Sequence, residues 1–406
     1  MCGIAGLIDR TLTGDRAGLE RRAEAMADAI AYRGPDGAGV WADAEQGVAL
    51  AHRRLAIVDV TPTGAQPMQS ADERWVISYN GETYNAAAIA EALKGVSFRG
   101  TSDTEIMLES MARRGLERTL GEMNGMFAIA LWDRATRTLH LFRDRLGIKP
   151  LFFAASKTGV WFASELKALA AGGAGLEVDP QSVGSFLRYG YVPAPHSIFR
   201  DVQKVMPGEA VAIDAQGIVT RRRYWSIDDV AADGAVDPFK GSESEAAAEL
   251  DALLSDAIAG QMMSDVPLGA FLSGGIDSST VAALMVKARR GPVRTFSIGF
   301  PEFGYDESAQ ARAVARHLGT EHHELTVTAA DALGVVPKLA EMYDEPFADS
   351  SQIPTHLLSK FARSRVTVAL SGDGGDELFS GYNRYRLDRG ALGALARLPA
   401  PLRRAL

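Results

Sequence analysis

The stretch PLGAFLSGGIDSST, residues 267–280, predicts the fold of the second half of the chain. An apolar run ends in the small residues 273–275, and a sequence compatible with a helix follows. Strand, tight loop and helix in this order are typical of a phosphate-binding loop, because backbone N–H groups and the positive end of the helix dipole converge there. We expect Ser278 to cap the helix and Asp277 to hold a metal ion against the phosphates.

Strand-like and helix-like segments alternate regularly around this loop. Such alternation, with connections of this length, predicts a parallel, doubly wound α/β sheet whose ligands bind at the carboxyl ends of the strands. The predicted strands are 266–272, 293–299, 321–327 and 366–371, and the predicted helices are 243–262, 278–289, 306–318 and 354–364.

A second loop with similar properties follows the last predicted strand. Residues 366–382 read VTVALSGDGGDELFSGY, a buried strand followed by glycines and acidic residues. Acidic groups beside a triphosphate repel it unless a divalent cation lies between them. We therefore expect Asp376 to share Mg²⁺ with Asp277.

The N-terminal half has a different pattern, a mixed α+β arrangement with strands in series. Its predicted strands are 48–57, 75–79, 126–132, 138–143, 151–154 and 160–163, and its predicted helices are 19–31 and 103–114. Residues 226–242 lack periodicity and are dense in Asp, Gly and Pro, which indicates a linker. The predicted organisation is a first domain over 1–212, a linker region over 213–242 and a second domain over 243–406.

Composition and charge narrow the class of protein. The chain has 406 residues, of which 47% are hydrophobic and 23% charged, as in ordinary globular domains. Its net charge of −8 argues against a nucleic-acid partner, which requires concentrated positive charge. Apolar runs fall far short of the ~18 residues of a membrane span. We expect a cytoplasmic protein without nucleic-acid or membrane partners.

The position of Cys2, the only cysteine in the chain, points to covalent chemistry. Removal of Met1 would leave a thiol and a free α-amine on the same residue. An α-amine has a reference pKa of ~7.7–8, so it can act as the general base for its own side chain near neutral pH. The thiolate is the reactive form of cysteine, which makes Cys2 a candidate nucleophile.

Three further segments offer groups that would bind an amino acid with a side-chain amide. YNGETYN places Asn80 and Gly81 in a predicted turn, where an amide and a backbone N–H can stabilise a developing oxyanion. AHRRLAIVD contains Arg54, which is suited to bidentate capture of a carboxylate. TSDTE offers Asp103 to an ammonium group. Together with the thiol, these groups indicate an enzyme that acts on such an amide.

Six ordered blocks within residues 1–165 carry a family resemblance: MCGIAG, RGPDG, AHRRLAIVD, YNGETYN, TSDTE and RDRLGIKPL. They resemble the glutamine-hydrolysing domain of class II, N-terminal-nucleophile amidotransferases. The resemblance implies a four-layer αββα fold, Cys2 as nucleophile and base, and an oxyanion hole at Asn80 and Gly81. It implies that glutamine is bound by Arg54, Asn80, Gly81, Glu82 and Asp103. Thr83 falls where the family usually has an aliphatic residue, a departure that we expect to be neutral.

The SGGIDSS loop resembles the pyrophosphate loop of ATP pyrophosphatases, which have an adenine nucleotide alpha hydrolase-like fold and cleave ATP between its α and β phosphates. The order of the two domains, with EPFADSSQIPTHLLSK and LSGDGGDELFSGYNRY, is similar to that of glutamine-hydrolysing asparagine synthetases. The resemblance implies a catalytic role for Asp373, where many relatives have Glu, and Mg²⁺ at Asp277 and Asp376. The ATP-binding residues that it implies are Leu272, Ser273, Gly274, Gly275, Asp277, Ser278, Ile298, Ser371 and Gly372.

The implied reaction is that of a carbon–nitrogen ligase with glutamine as amido donor. ATP would adenylate the side-chain carboxylate of aspartate, and ammonia released at Cys2 would displace AMP. The family alone implies a homodimer. The family usually continues beyond the region that ends at Leu406 with a helical section, so we expect an incomplete synthetase site in these residues. Two alternatives stay open: the same architecture acting on another carboxylate acceptor, and a regulatory or hetero-oligomeric subunit.

Overall fold

The protein is described here by a computed structural model covering residues 1–156, 159–214, 216–289, 291–300, 306–383, 385, 390 and 393–403. The chain forms two compact units, and each is described by itself. The first unit comprises residues 1–249, 263–265 and 335–352. The second comprises 250–262, 266–334 and 353–406. The predicted domain bounds at 212 and 243 stay a prediction.

The first unit contains two six-stranded antiparallel sheets. Their strand orders are β10-β8-β9-β1-β3-β2 and β12-β11-β7-β6-β5-β4. The strands are β1 (Gly3–Asp9), β2 (Gly37–Asp43), β3 (Val48–Arg54), β4 (Met68–Gln69), β5 (Trp75–Thr83), β6 (Gly125–Asp133), β7 (Thr138–Arg143), β8 (Phe152–Ala155), β9 (Gly159–Ala163), β10 (Val202–Lys204), β11 (Glu209–Ile213) and β12 (Val219–Arg223).

The helices along the first 261 residues are α1 (Arg16–Asp28), α2 (Ala86–Glu91), α3 (Asp103–Arg114), α4 (Leu116–Glu122), α5 (Leu166–Ala171), α6 (Pro180–Tyr189), α7 (Ile227–Val236) and α8 (Glu243–Gln261). Short 3₁₀ helices occur at Arg10–Leu12, Ala31–Arg33 and Pro62–Gly64.

The alternation of side chains along the strands explains the layering of this unit. In β1, Ile4 and Ile8 join a buried apolar cluster with Trp132 of the other sheet, so these residues face the space between the sheets. Leu7, on the opposite face of β1, packs with residues of α1 and α5. Met107 of α3 packs on the outer face of the second sheet. The order helix, sheet, sheet, helix confirms the predicted αββα fold.

The second unit contains a four-stranded parallel sheet with the order β15-β14-β13-β16. Its strands are β13 (Leu268–Phe271), β14 (Arg294–Gly299), β15 (Glu321–Thr326) and β16 (Val368–Leu370). The helices among the described residues after 261 are α9 (Ile276–Ala288), α10 (Ser308–Leu318), α11 (Ala329–Leu333), α12 (Leu339–Met342), α13 (Gln352–Arg363), α14 (Gly375–Phe379), α15 (Gly393–Ala396) and α16 (Ala400–Arg403), with a 3₁₀ turn at Val336–Lys338.

Helices cover both faces of the parallel sheet. Ala270 of β13 packs in a cluster with residues of α8 and α9. Phe271, the next residue, points to the opposite face and packs with Phe296 of β14 and with residues of α13. The predicted doubly wound α/β architecture is confirmed. In the described part of the chain, no helix combines the length and apolar character needed to cross a membrane.

Two segments have features that local sequence patterns did not indicate. Within the aperiodic stretch 226–242, residues 227–236 form helix α7, because Ser226 caps it by accepting a hydrogen bond from the N–H of Asp228. Residues 335–352 follow helix α11 in the sequence of the second unit, yet they cluster with the first unit. Contacts between distant parts of the chain determine this assignment, and local sequence patterns do not report them.

Candidate functional site

Cys2 lies at the start of a central strand of the first sheet. It directly precedes β1, which pairs with β3 on one side and β9 on the other. The Cys2 Sγ atom lies 3.3 Å from the backbone nitrogen of Leu55 and 3.6 Å from its carbonyl oxygen. Burial raises the pKa of the Cys2 thiol, and the N–H of Leu55 opposes this shift. The thiol therefore needs a nearby base to ionise at neutral pH.

Asn80 and Gly81 lie within a strand and not in the turn that we expected. β5 continues to Thr83, with Asn80 opposite Ala128 and Gly81 opposite Phe127 of β6. A Cβ atom on Gly81 would lie only 2.4 Å from the carbonyl oxygen of Met126, so the close approach of β6 requires glycine there. The turn was predicted because Asn-Gly is a common turn dipeptide, but pairing along the full length of β5 and β6 prevails.

The side-chain amide of Asn80 has a buried hydrogen-bond donor that is not used within the described structure. Asn80 is 1% exposed, and its Nδ2 atom has no hydrogen-bond partner among the described residues. Leaving a buried donor unpaired costs about 1–3 kcal/mol, and a bound ligand with an acceptor atom would satisfy this one.

Two hydrogen bonds between the sheets hold this part of β5 in place. The Nε2 atom of His52 lies 3.1 Å from the carbonyl oxygen of Tyr79, which can only accept, so Nε2 carries the proton. Burial lowers the pKa of His52 to about 4, which keeps the ring neutral. The hydroxyl of Ser78 donates to the carbonyl of Ala51 at 3.1 Å. Sequence reasoning missed His52, although it stands within AHRRLAIVD.

Asp103 lies at the first turn of α3, as predicted, and is almost fully buried. Its carboxylate accepts hydrogen bonds from the N–H of Thr83 at 2.9 Å, from the phenol of Tyr79 at 3.1 Å and from the N–H of Thr104 at 2.9 Å. Burial raises the pKa of Asp103, and these donors oppose the shift. The Thr83 hydroxyl lies 3.0 Å from the Tyr79 phenol. Thr83, which we expected to be neutral, therefore belongs to this network.

We expect Thr83→Val to lower the free energy of unfolding by about 1 kcal/mol, because the buried phenol of Tyr79 loses one of its hydrogen-bond partners. Urea unfolding of the purified chain measures the change. Thr220→Val, the same substitution on the exposed edge strand β12, is the matched control and should change stability by less than about 0.5 kcal/mol. Equal losses in the two variants would contradict this role for the Thr83 hydroxyl.

Charged groups converge around Cys2. Arg54 donates to the carbonyl oxygens of Thr61, at 2.8 Å, and Asp59, which fixes its guanidinium, and its charge lowers the pKa of the Cys2 thiol against the larger effect of burial. Burial raises the pKa of Glu82 to about 7, with a smaller opposing effect from Lys149. The charge of Lys149, a residue that is 4% exposed, also acts on Cys2. Arg54 and Glu82 were predicted site residues, whereas Lys149 was missed.

The RDRLGIKPL block positions Lys149 through Asp144. The carboxylate of Asp144 accepts hydrogen bonds from the N–H groups of Ile148, Lys149 and Phe127, at 2.9, 3.0 and 3.1 Å. Asp144 is 1% exposed, so the hydrogen bonds that hold this turn are shielded from solvent. A basic residue inside a conspicuous block was the signal that could have identified Lys149.

In the second unit, two loops meet at the carboxyl edge of the parallel sheet. One follows β13 and the other follows the neighbouring strand β16. A Cβ atom on Gly372 would lie 2.8 Å from the backbone nitrogen of Ser278, and one on Gly375 would lie 2.5 Å from the carboxyl of Asp277. The Ser371 hydroxyl donates to Asp373 at 2.9 Å, and that carboxylate is exposed. The structure thus brings the two predicted loops together.

Ser278 does not cap helix α9 as expected. The N-cap is Gly275, which has no capping side chain, while the Ser278 hydroxyl accepts from the N–H of Ser273 at 3.2 Å. The Ser273 hydroxyl in turn accepts from the N–H of Gly275 at 3.2 Å. Two of the three loop amides that we expected to face phosphate are therefore already hydrogen-bonded to serine hydroxyls. First-turn amides of a helix have no intrahelical carbonyl, so Ile276 and Asp277 still offer N–H groups at this end.

Leu272 and Ile298, two other predicted nucleotide-binding residues, differ in how much of their side chains is exposed to solvent. Leu272 is 1% exposed and its side chain packs with Ala282 and Ala311, so only its main chain can face a ligand. Ile298, near the end of β14, is partly exposed.

A metal ion at this edge would need ligands from outside the protein. Asp277 and Asp376 lie in the two regions that begin helices α9 and α14. Among the described residues, no group of three or more His, Cys, Asp or Glu side chains is arranged to hold a metal. Two carboxylates with phosphate oxygens suit Mg²⁺, which usually binds with few protein ligands.

The two glycines of the first loop provide a matched test of its geometry. Gly274 has φ +85°, and a Cβ atom there would lie 2.7 Å from the backbone nitrogen of Ala311. Gly275 has φ −69°, and its added Cβ would meet only the Ser273 hydroxyl at 3.3 Å. We expect Gly274→Ala to cost about 1–3 kcal/mol of stability and Gly275→Ala much less. Denaturant unfolding measures both, and similar losses would contradict the described loop conformation.

Comparisons with known proteins agree with this arrangement. Residues 1–225 match the glutamine amidotransferase domain family, and residues 249–406 match the asparagine synthase family. Glutamine-hydrolysing asparagine synthetase 1 of Bacillus subtilis strain 168 is 35% identical over 100% of this chain and 62% of its own length. Glutamine-hydrolysing asparagine synthetase B of Escherichia coli K12 is 32% identical over 94% of this chain and 65% of its own length.

The chain thus spans slightly less than two thirds of these two curated relatives. Among solved structures, glutamine phosphoribosylpyrophosphate amidotransferase from B. subtilis, complexed with ADP and GMP, aligns with a TM-score of 0.42 and 16% identity over 80% of this chain and 65% of that one. Both family matches, together with relatives that align over the whole of this chain, show that the chain belongs to the family of glutamine-hydrolysing asparagine synthetases.

Proposed function

We propose that the first unit hydrolyses glutamine and that the second unit uses ATP to activate the side-chain carboxylate of aspartate, which the ammonia then converts to asparagine. The first half of the proposal rests mainly on Asn80, whose buried Nδ2 has no partner in the described part of the chain, in a unit that also holds the only cysteine of the sequence. The second half rests on the contact between the two glycine-rich loops and on the names of the relatives.

The proposed glutaminase reaction begins with Cys2 after removal of Met1. Its α-amine accepts the thiol proton, and the thiolate attacks the amide carbon of glutamine. The side-chain amide of Asn80 and the N–H of Gly81 stabilise the oxyanion. The α-ammonium group returns its proton to the leaving nitrogen, so that ammonia leaves as the thioester forms. Water then hydrolyses the thioester to glutamate and restores the thiol.

The glutamine-binding groups are proposed from their charge and position. Arg54 binds the α-carboxylate, since the carbonyl oxygens of Asp59 and Thr61 fix its guanidinium. Glu82 and Asp103 bind the α-ammonium group.

We further propose that ATP binds across the two loops of the second unit, through Ser273, Gly274, Gly275, Ser278, Ser371 and Gly372, with the main chain of Leu272 and with Ile298 beside them. Asp277 and Asp376 would hold Mg²⁺, which neutralises phosphate charge when bound. Asp373 would act at the reacting carboxylate. Pyrophosphate leaves when the aspartyl adenylate forms, and ammonia displaces AMP.

We also propose that the protein is cytoplasmic and that it forms a homodimer. Light scattering on the purified chain measures its oligomeric state directly.

The raised pKa of Glu82 predicts a pH dependence of glutamine binding. With a pKa of about 7, Glu82 is mostly neutral below pH 7 and mostly ionised above it. Only the carboxylate attracts the ammonium group, so the KM for glutamine should fall as pH rises through about 7. Glu82→Gln should raise KM at pH 8 and remove this dependence. A profile of the same shape in Glu82→Gln would show that another group titrates.

The raised pKa of Glu82 also affects the stability of the fold, which should fall as pH rises, whereas glutamine binding should improve. The folded-state pKa lies above the unfolded value, so burial of the carboxylate costs stability increasingly as pH rises from about 4.5 to 7, and the full cost applies above pH 7.

The experiment that tests the proposed function measures two products from the purified chain. Glutamate release from glutamine reports on the first unit, and pyrophosphate release with ATP, Mg²⁺, aspartate and ammonia reports on the second. Formation of asparagine with pyrophosphate supports the whole proposal. Glutamate without pyrophosphate in the presence of aspartate overturns the synthetase half for this chain. Pyrophosphate release with another carboxylate would then identify a different acceptor, and none with any carboxylate would indicate an incomplete second site. Absence of both products overturns the proposal.

A further inference from the structure

Within the first unit, two adjacent acidic residues, Asp344 and Glu345, bind segment 335–352 to the rest of the unit. Both ends of this segment continue along the chain into the second unit, at Gly334 and Ile353. The two acidic side chains are only 11% and 15% exposed, and each binds a different lysine of the first unit.

Asp344 is bound at the start of helix α5. The N–H groups of Leu166 and Lys167 donate to its carboxylate, and the Lys167 ammonium lies 3.3 Å from it. Lys167 also donates to the carbonyl oxygen of Glu341, at 2.8 Å. Lys167 therefore has two partners in segment 335–352.

From Lys167, a continuous set of polar contacts reaches the candidate nucleophile. The Lys167 ammonium lies 3.1 Å from Oε2 of Glu165, and Oε1 of Glu165 accepts from Arg33 at 2.6 Å. The Nε atom of Arg33 donates to the carbonyl oxygen of Cys2 at 2.9 Å. The phenol of Tyr32 also donates to Glu165. Asp344 and Cys2 are thus joined through Lys167, Glu165 and Arg33.

The pair of Arg33 and Glu165 is well buried, with side chains 8% and 12% exposed. The Nη2 atom of Arg33 has no hydrogen-bond partner among the described residues. Glu165 and the Cys2 carbonyl therefore provide the described hydrogen bonds that orient this guanidinium. Removal of one partner from a buried ion pair is strongly unfavourable because it leaves an uncompensated charge. Arg33 would then no longer be held against the peptide group that follows the nucleophile.

We propose that Glu165 is a positioning residue for Cys2, acting through Arg33, and that Asp344 supports Glu165 through Lys167. Glutamine hydrolysis at Cys2 then depends on the docking of segment 335–352, whose flanking residues belong to the second unit. The inference rests on the proposed glutaminase function of Cys2. Sequence reasoning placed residues 345–360 with the synthetase motifs and gave no indication of this connection.

Glu345 provides the matched control, because it lies next to Asp344 but has different partners. Its carboxylate accepts from the N–H of Ile198 at 2.6 Å and pairs with Lys204 at 2.6 Å. These contacts help attach the same segment and do not involve Arg33 or Glu165. Asp344→Asn and Glu345→Gln each remove one charge from the attachment, but only the first alters the contacts that lead to Cys2.

The test uses the full chain and a readout that is independent of turnover. Because Cys2 is the only cysteine, alkylation by iodoacetamide reports on this thiol alone. The N–H of Leu55 favours the thiolate, so loss of positioning should move the midpoint of the alkylation profile to higher pH. Glutamine hydrolysis is measured in parallel, with kcat and KM separated, and thermal unfolding is recorded for each variant.

We expect Glu165→Gln to lower kcat for glutamine by about tenfold or more, with KM within about twofold, since misplacement of a reacting group slows the chemical step. Asp344→Asn should lower kcat less and move the alkylation midpoint in the same direction. Glu345→Gln should leave both within about twofold of the unmodified chain.

Equal effects of Asp344→Asn and Glu345→Gln would overturn the proposal, because attachment of the segment alone would then explain them. An unchanged alkylation profile in Glu165→Gln would also overturn it. If the unmodified chain fails to hydrolyse glutamine while the alkylation profiles still differ as expected, the proposed function fails and the positioning role of Glu165 is supported.

Discussion

Cys2→Ser will remove glutamine hydrolysis, with a loss of at least about 10³-fold in kcat, because loss of the nucleophile of an acyl-transfer enzyme costs up to about 10⁶-fold. An alcohol ionises far less readily than a thiol, and the α-amine of the residue is too weak a base to compensate. Glutamate release from glutamine measures the effect. Any pyrophosphate release that the unmodified chain shows with ammonia should be the same in Cys2→Ser, since the candidate residues for that step lie in the second unit.

The substitution is conservative in size, so thermal unfolding should change little and exclude misfolding as the cause. Retention of more than a few per cent of glutamate release in Cys2→Ser would contradict the assignment of the nucleophile. The result would then require another residue of the first unit to attack the amide.

Asn80→Ala will lower kcat for glutamine by about 10²–10³-fold, the usual cost of losing one side-chain donor of an oxyanion hole. The change removes the buried Nδ2 atom, which has no partner among the described residues, so no hydrogen bond seen for it in the structure is lost. KM should change little, because the donor acts on charge that develops only in the transition state. Asn80→Asp should be at least as damaging, since it places a carboxylate beside the developing negative charge.

Ser78→Ala is the matched control for Asn80→Ala. Ser78 lies two residues earlier on the same face of β5 and is also fully buried. Its loss removes the hydrogen bond to Ala51, at a cost of about 1 kcal/mol in stability, without removing a donor from the site. Comparable losses of kcat in the two variants would mean that Asn80 acts only through the packing of β5.

Sequence patterns predicted the helices and strands that are determined by residues close together in the sequence. The bounds of α3, 103–114, and of β7, 138–143, match the structure. The first follows from a Ser102 cap and acidic residues in the first turn, and the second from an apolar run beside a turn. The doubly wound fold was predicted because strands and helices alternate in the sequence, whereas the αββα fold was predicted only through the resemblance of six sequence blocks to class II amidotransferases.

The remaining features depend on pairing between distant residues. Asn80 and Gly81 were placed in a turn because nothing near them reveals that β6 pairs with β5 as far as Gly125. Arg33 and Glu165 are 132 residues apart, and each resembles an ordinary surface charge in its own segment. The attachment of residues 335–352 to the first unit likewise depends on contacts that no local pattern reports.

The central position of β1 affects how the protein is made on the ribosome. The strand that follows Cys2 pairs with β9, and the N–H of Ile4 donates to the Ser164 hydroxyl, 160 residues further along the chain. At a synthesis rate of about 5–20 residues per second, this partner emerges roughly 8–30 s after the N-terminus. The strand that follows the thiol can therefore pair with β9 only after residue 164 has been synthesised. Nascent chains therefore leave time for processing enzymes to remove Met1 before the strand is enclosed.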